Sequence, residues 1–157
     1  MKTAVVFYSL DGNCAFIARE IKAMLDAEVI RIHTKDEKAR VGISKFFWSM
    51  SMVPKKYPAL KPYTFDPSLY DLIIIGAPVW ASSPASPIKT FIKEADIKDK
   101  KIALFACHAG GIGGTFKKFK ALLFGNNIAS EADFNMSKNK DIGEIKQKIT
   151  DWVEKLR

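Results

Sequence analysis

Ala4-Val5-Val6-Phe7-Tyr8 runs directly into Ser9-Leu10-Asp11-Gly12-Asn13-Cys14, after which Ile17, Ala18, Ile21, Met24 and Leu25 recur at helical spacing. An unbroken apolar run without polar alternation describes a strand covered on both faces. A short turn-rich loop then feeds an amphipathic helix whose apolar stripe begins at Cys14. A doubly covered strand followed by a helix is the opening unit of a parallel sheet, because parallel neighbours need crossovers that pack on the sheet faces.

The same unit recurs along the chain. Residues 72–75 and 102–107 are again continuously apolar, whereas 30–33 and 128–134 alternate. In Ile30-Arg31-Ile32-His33 the apolar side chains point one way and the polar ones the other. In the later stretch Glu131 and Asp133 share a face opposite Ile128, Ala132 and Phe134. Alternation marks half-exposed edge strands, so the second and fifth strands belong at the edges and the first, third and fourth in the middle. The order 2-1-3-4-5 satisfies this, as do other orders with the same edges. Helical stripes follow: Ile88, Phe91 and Ile92 after Ser86-Pro87, read as an N-cap and a first-turn proline. Phe116, Phe119 and Leu123 form another, which stops at Gly125, and Ile142 to Leu156 form the last, with Asp141 and Glu144 spaced as a capping box. The expected fold class is α/β: a three-layer, doubly wound, five-stranded parallel sheet.

The chain has 157 residues, 48% hydrophobic and 27% charged, which fits a single domain over 1–157 with a real core and excludes global disorder. No apolar stretch reaches the roughly 20 residues of a membrane-spanning helix, so no integral membrane segment is expected. The amino-terminal run reads as a strand, not a signal peptide, and a cytoplasmic location is expected. Cys14 and Cys107 form no CxxC pair, which argues against a disulfide scaffold or a cysteine zinc site, and no metal site is expected. The net charge is +8. The excess concentrates in 35–61, where seven basic residues face only Asp36 and Glu37, and in Lys117, Lys118 and Lys120. A basic face attracts nucleic acid, anionic membrane, acidic protein or phosphorylated ligand, and a solvated lysine-rich surface gives the same pattern. With no zinc-finger spacing, RNP motif or basic heptad, nucleic acid is not an expected partner. Within 35–67, Ile43, Phe46, Phe47 and Met50 can line one face of a short helix before Pro54, Pro58 and Pro62. Trp48 is the candidate exposed contact of an aromatic docking patch.

Ligands of an open parallel sheet bind at the carboxyl ends of the strands, where the order reverses, here between the first and third strands. The loops after strands one, three and four are all unusual. Ser9-Leu10-Asp11-Gly12-Asn13-Cys14 offers backbone N–H groups and a helix N-terminus to an anion, or is a plain turn capped by Ser9 or Asp11. It is not a Walker P-loop. Gly76-Ala77-Pro78-Val79-Trp80-Ala81-Ser82-Ser83-Pro84 carries a tryptophan that can stack on a planar ring or cap the core. Cys107-His108-Ala109-Gly110-Gly111-Ile112-Gly113-Gly114 lets backbone approach a ligand closely, although it is an incomplete GxGxxG fingerprint. His108 is either a proton donor or a loop histidine bonded to backbone or water.

These three loops, with Ser86-Pro87-Ile88-Lys89-Thr90-Phe91, resemble the flavodoxin family in order and spacing over nearly the whole chain. The resemblance implies a 2-1-3-4-5 α/β sandwich that binds FMN non-covalently and shuttles electrons between redox proteins. Ser9, Leu10, Asp11, Gly12, Asn13 and Cys14 would hold the FMN phosphate. Pro78, Val79, Trp80, Ala81, Ser82 and Ser83 would form one wall of the flavin site. Cys107, His108, Gly110 and Gly111 would form the other, meeting the pyrimidine edge through backbone groups. No catalytic residue is implied, and an electron carrier is expected before a self-contained oxidoreductase.

Several positions depart from the family pattern. Asp11 and Cys14 stand where threonines are usual; a carboxylate beside a phosphate is repulsive, so either Asp11 points away to cap the helix or affinity suffers. Cys14 is a candidate low-pKa thiol by its place at a helix N-terminus and a buried one by its place in the stripe. Ser82-Ser83 occupies the tight turn that often carries glycine, which hinders a backbone flip. With the +8 charge, this implies a less reducing carrier, weak build-up of one-electron-reduced flavin and an acidic redox partner. Two other functions fit the pattern: an FMN-dependent NAD(P)H:quinone or small-acceptor reductase, and a flavin-free interaction module of which Asp11 is the symptom.

Overall fold

The computed structural model describes residues 1–36, 57–137 and 140–157. Strands β1 (Thr3–Phe7), β2 (Glu28–Arg31), β3 (Leu72–Pro78), β4 (Lys101–His108) and β5 (Asn127–Asn135) form one sheet in the order β2-β1-β3-β4-β5. Every neighbouring pair is parallel. The crossovers carry helices α1 (Asn13–Leu25), α2 (Ser86–Ala95), α3 (Thr115–Leu122) and α4 (Ile142–Glu154), and a 3-10 turn at Pro67–Leu69 precedes β3. The docking patch expected at Phe46, Phe47, Trp48 and Met50, and the basic residues from Lys38 to Lys56, lie outside the described residues.

The doubly apolar strands are divided between two cores by the pleat of the sheet. Val5, Phe7, Leu72, Ile74, Ala103, Phe105 and Cys107 face α1 and α4, against Ile17, Ile21, Ile149 and Trp152. Ala4, Val6, Tyr8, Ile73, Ile75, Ile102 and Leu104 face α2 and α3, against Ile88, Phe91, Phe119 and Leu123. This is the expected three-layer sandwich, with the second and fifth strands at the two edges.

Three local expectations are corrected. The second strand is Glu28–Arg31 and not 30–33. Ile32 is buried but beyond the ladder, and Lys61 N–H donates to His33 O while Lys35 N–H donates to Ala59 O, so an antiparallel contact takes over there. In β5 the register slips between Ile102 and Ala103 of β4, where Ile128 and Ser130 are the respective partners. This bulge turns Ile128 toward the α2/α3 core, away from Ala132 and Phe134 on the α1/α4 side. Helix α2 is capped at Ala85, so Ser86 is its first residue and Pro87 lies within its first turn. At α4 the expected cap forms, with Asp141 Oδ1 accepting from Glu144 N–H at 3.0 Å.

Candidate functional site

Three loops leave the carboxyl ends of β1, β3 and β4, which are neighbours in the sheet, and so lie side by side at the point where the order reverses. Backbone bonds hold their starts together: Tyr8 N–H donates to Gly76 O (3.2 Å) and Val79 N–H to Cys107 O (2.9 Å). A cleft of about 410 Å³ at the opposite end of the sheet, lined by Met1, Thr3, Met24 and Arg157 among others, belongs to the chain ends and not to these loops.

In the first loop the backbone turns at Gly12 (φ 95°), and α1 begins at Asn13 without a side-chain cap at Gly12. Ser9 and Asp11 share the capping work instead. Ser9 Oγ accepts from Ala15 N–H at 3.2 Å, and Asp11 accepts from Asn13 N–H at 3.3 Å and from Asn13 Nδ2 at 3.2 Å. The Asp11 carboxylate is therefore engaged by its own turn. Leu10, Asp11 and Gly12 are exposed, Asn13 is half-buried, and Ser9 and Cys14 are buried. Cys14 is not the low-pKa thiol its helix position suggested: burial pushes it well above the usual thiol range, and a hydrogen bond with Cys107 adds to the shift. The fold thus brings together, beneath the loops, two cysteines far apart in sequence, both as free thiols.

The second loop is a tight hairpin. Trp80 and Ser83 exchange backbone bonds in both directions (2.8 and 3.1 Å), and Val79 pairs with Pro84. The turn centre is Ala81-Ser82, at φ 49° and 54°, and not Ser82-Ser83 as the sequence suggested. Two successive non-glycine residues in the left-handed region cost about 1 kcal/mol each. Pro78 and Val79 are half-buried, Ala81 and Ser82 exposed. Trp80, also half-buried, meets Tyr8 edge-on at 5.6 Å and 83°. It thus rests on the core while keeping exposed surface. Ser83 Oγ is buried and finds no hydrogen-bond partner among the described residues.

The third loop is held from beneath. A Cβ placed on Gly113 (φ 51°) would lie 2.3 Å from Ser82 Oγ and 2.6 Å from Ser82 Cβ, so only glycine lets the second and third loops touch. Gly110 and Gly111 are exposed, while Cys107 is buried. The His108 ring is turned onto the protein: Nε2 lies 2.9 Å from Asp133 Oδ2, and Nδ1 accepts from Gly111 N–H at 3.0 Å. Its backbone oxygen accepts from Met136 N–H at 2.7 Å. The histidine bonded to backbone is the form the structure takes.

Two partners in this arrangement escaped sequence reading. Arg31, the last residue of β2, donates from Nη2 to Ser9 O at 2.8 Å, placing a guanidinium beside the first loop. Its position at the carboxyl end of an edge strand next to β1 was the available signal. Asp133 showed only as half of an alternating acid pair. Its carboxyl lies below the usual range, chiefly through the His108 hydrogen bond and also through Lys148. Among the described residues no group of three or more His, Cys, Asp or Glu could hold a metal ion, and no helix is long and apolar enough to cross a membrane.

The flavodoxin family model matches residues 2–156. The chain belongs to the flavodoxin family. Among solved structures it is similar to a flavoprotein from Lactobacillus acidophilus NCFM in complex with FMN, with TM-score 0.69 and 22% identity over 96% of this chain and 97% of that one. It is also similar to the apo-form of the flavoprotein from that organism, at TM-score 0.67 and 26% identity over 86% and 93% of the two chains. The two-electron reduced flavodoxin of Megasphaera elsdenii superposes at TM-score 0.63 with 18% identity, over 98% and 99%. Among curated proteins nothing matches.

Proposed function

We propose that this chain binds FMN between its three loops and serves as an electron carrier. The observation that carries the reading is the convergence of the loops at the switch point of a flavodoxin-family sheet, with Trp80 half-exposed among them. The residues suit the cofactor. An FMN phosphate needs positive charge, which Arg31 supplies beside the first loop and the dipole of α1 adds to from the helix start. Asp11, which threatened repulsion, is occupied by Asn13. The planar ring needs an aromatic surface and close backbone, which Trp80 and Gly110-Gly111 offer. Ser83 Oγ, buried without a partner among the described residues, is of the kind that a polar ligand edge satisfies.

In this reading residues 9–14 hold the phosphate, 78–83 form one wall, and Cys107, His108, Gly110 and Gly111 the other. Bound FMN supplies reversible electron transfer, and the chain supplies binding, orientation and electrostatics. The net charge of +8 favours an added electron, so the carrier is less reducing than acidic members of the family and meets an acidic redox partner. Lys117 and Lys118 lie exposed on α3 as part of that surface.

A visible spectrum of the purified protein, with FMN added to any colourless preparation, tests the reading. Flavin bands at one FMN per chain are the expected result. No bands and no uptake would discard the redox function in favour of a flavin-free interaction module. Steady NAD(P)H oxidation by the FMN-loaded protein with a quinone would make it a reductase and not a carrier.

A further inference from the structure

We propose that His108 is a positioning residue whose protonation state sets the shape of the Gly110-Gly111 wall and thereby makes flavin binding there sensitive to pH. The inference deepens the FMN reading above and rests on it for the affinity, though not for the loop.

The two bonds on the ring fix its protonation. Gly111 N–H can only donate, so Nδ1, 3.0 Å away, must present its lone pair. Asp133 Oδ2 accepts, so Nε2, 2.9 Å away, carries the proton. Only the neutral Nε2–H tautomer satisfies both contacts. A second proton at Nδ1 would set N–H against N–H and release Gly111, in a loop whose own residues 109–111 are exposed. The ring itself is well covered, its side chain 9% exposed, so it has little freedom to turn to solvent when charged.

Charged groups of two further elements stand around it: Asp133 on β5 faces the ring at 2.9 Å, and Lys148 of α4 lies 3.4 Å from Asp133 Oδ1 on the same carboxylate. Two residues earlier in β5, Glu131 is engaged by Lys120 of α3 at 2.9 Å. Gly111 is the only one of the two ring contacts that protonation breaks. The wall is therefore formed on the alkaline side of the histidine midpoint and released on the acid side.

The test uses the whole chain without FMN first. In amide NMR from about pH 5 to pH 8, the Gly111 N–H and the His108 ring should titrate with one shared midpoint. A Gly111 amide that does not follow the ring overturns the proposal. FMN affinity, read by flavin fluorescence quenching, should weaken as pH falls through that midpoint, approaching about tenfold per pH unit. His108→Asn places an acceptor where Nδ1 stands but does not titrate, and should remove this pH dependence from the Gly111 amide and from FMN affinity, whatever that affinity is. His108→Gln reaches Asp133 without an acceptor for Gly111, and should bind weakly at every pH. An H108N variant as pH-dependent as the parent overturns the proposal. FMN failing to bind in every variant and at every pH overturns the FMN reading and the affinity claim with it, whereas a shared midpoint still upholds the loop switch.

Discussion

Arg31 shows how one side chain alters the electrostatics of a loop otherwise made of neutral groups and a carboxylate. Its guanidinium sits on Ser9 O at 2.8 Å, close to where the phosphate would lie, and carries a charge that an Asn-rich or Thr-rich loop lacks. Arg31→Gln should lower FMN affinity about threefold to fivefold, the scale of an exposed charge pair. It should also flatten the salt dependence of binding while leaving riboflavin affinity unchanged. Equal losses for FMN and riboflavin would place Arg31 outside the phosphate site. Cys14 makes the opposite point, since its burial outweighs the helix N-terminus and raises its pKa. A disulfide-exchange thiol reagent should label neither Cys14 nor Cys107 in the native protein at mildly alkaline pH, and both once it is denatured. Rapid native labelling would contradict the burial of the pair.

The bulge in β5 and the hairpin after β3 are decided at the level of the element. Alternation in 128–134 was readable, but one extra residue facing Ile102/Ala103 moved Ile128 to the other core, and nothing in the local pattern marks that residue. The turn after Trp80 centres on Ala81-Ser82, one residue before the Ser82-Ser83 pair to which the sequence points, for a similar reason. Ala81 and Ser82 are poor left-handed residues, and they adopt the conformation because strand β3, Pro84 and the Gly113 contact close the loop around them. Gly113→Ala should separate the second and third loops, weakening FMN binding severalfold and lowering stability by about 1 to 2 kcal/mol, read by denaturant unfolding and flavin titration together. Gly76→Ala acts differently: within β3 a new Cβ would lie 1.9 Å from the Phe105 ring. It should cost about 3 kcal/mol or more, as overpacking of a filled core does, and show as a large drop in the unfolding midpoint.

Across the whole molecule, charge and pH link the site to stability. Asp133 has a lowered carboxyl pKa, mainly through the His108 hydrogen bond. A carboxyl depressed in the folded state contributes stability above its unfolded pKa of about 3.9, and that contribution is lost as pH falls through the lower folded value. Asp133→Asn should therefore be less stable than the parent near neutral pH and converge with it at the acid end. The difference should stay under about 1 kcal/mol, since the side chain is 41% exposed and screened. Unfolding curves over a pH series that stay parallel down to the acid end would contradict this. Periodicity in the sequence was enough for the layers and for which strands lie at the edges, because burial on one or both faces leaves a local record in strands and helices, while the full strand order and the roles of the three loops came from the family resemblance. What touches what across those loops was decided only by the tertiary structure. Arg31 on Ser9, Cys14 on Cys107, and Asp133 and Gly111 on either side of His108 join positions on different elements or across a folded loop. Their meeting depends on sheet register and loop closure, which no short window of sequence records.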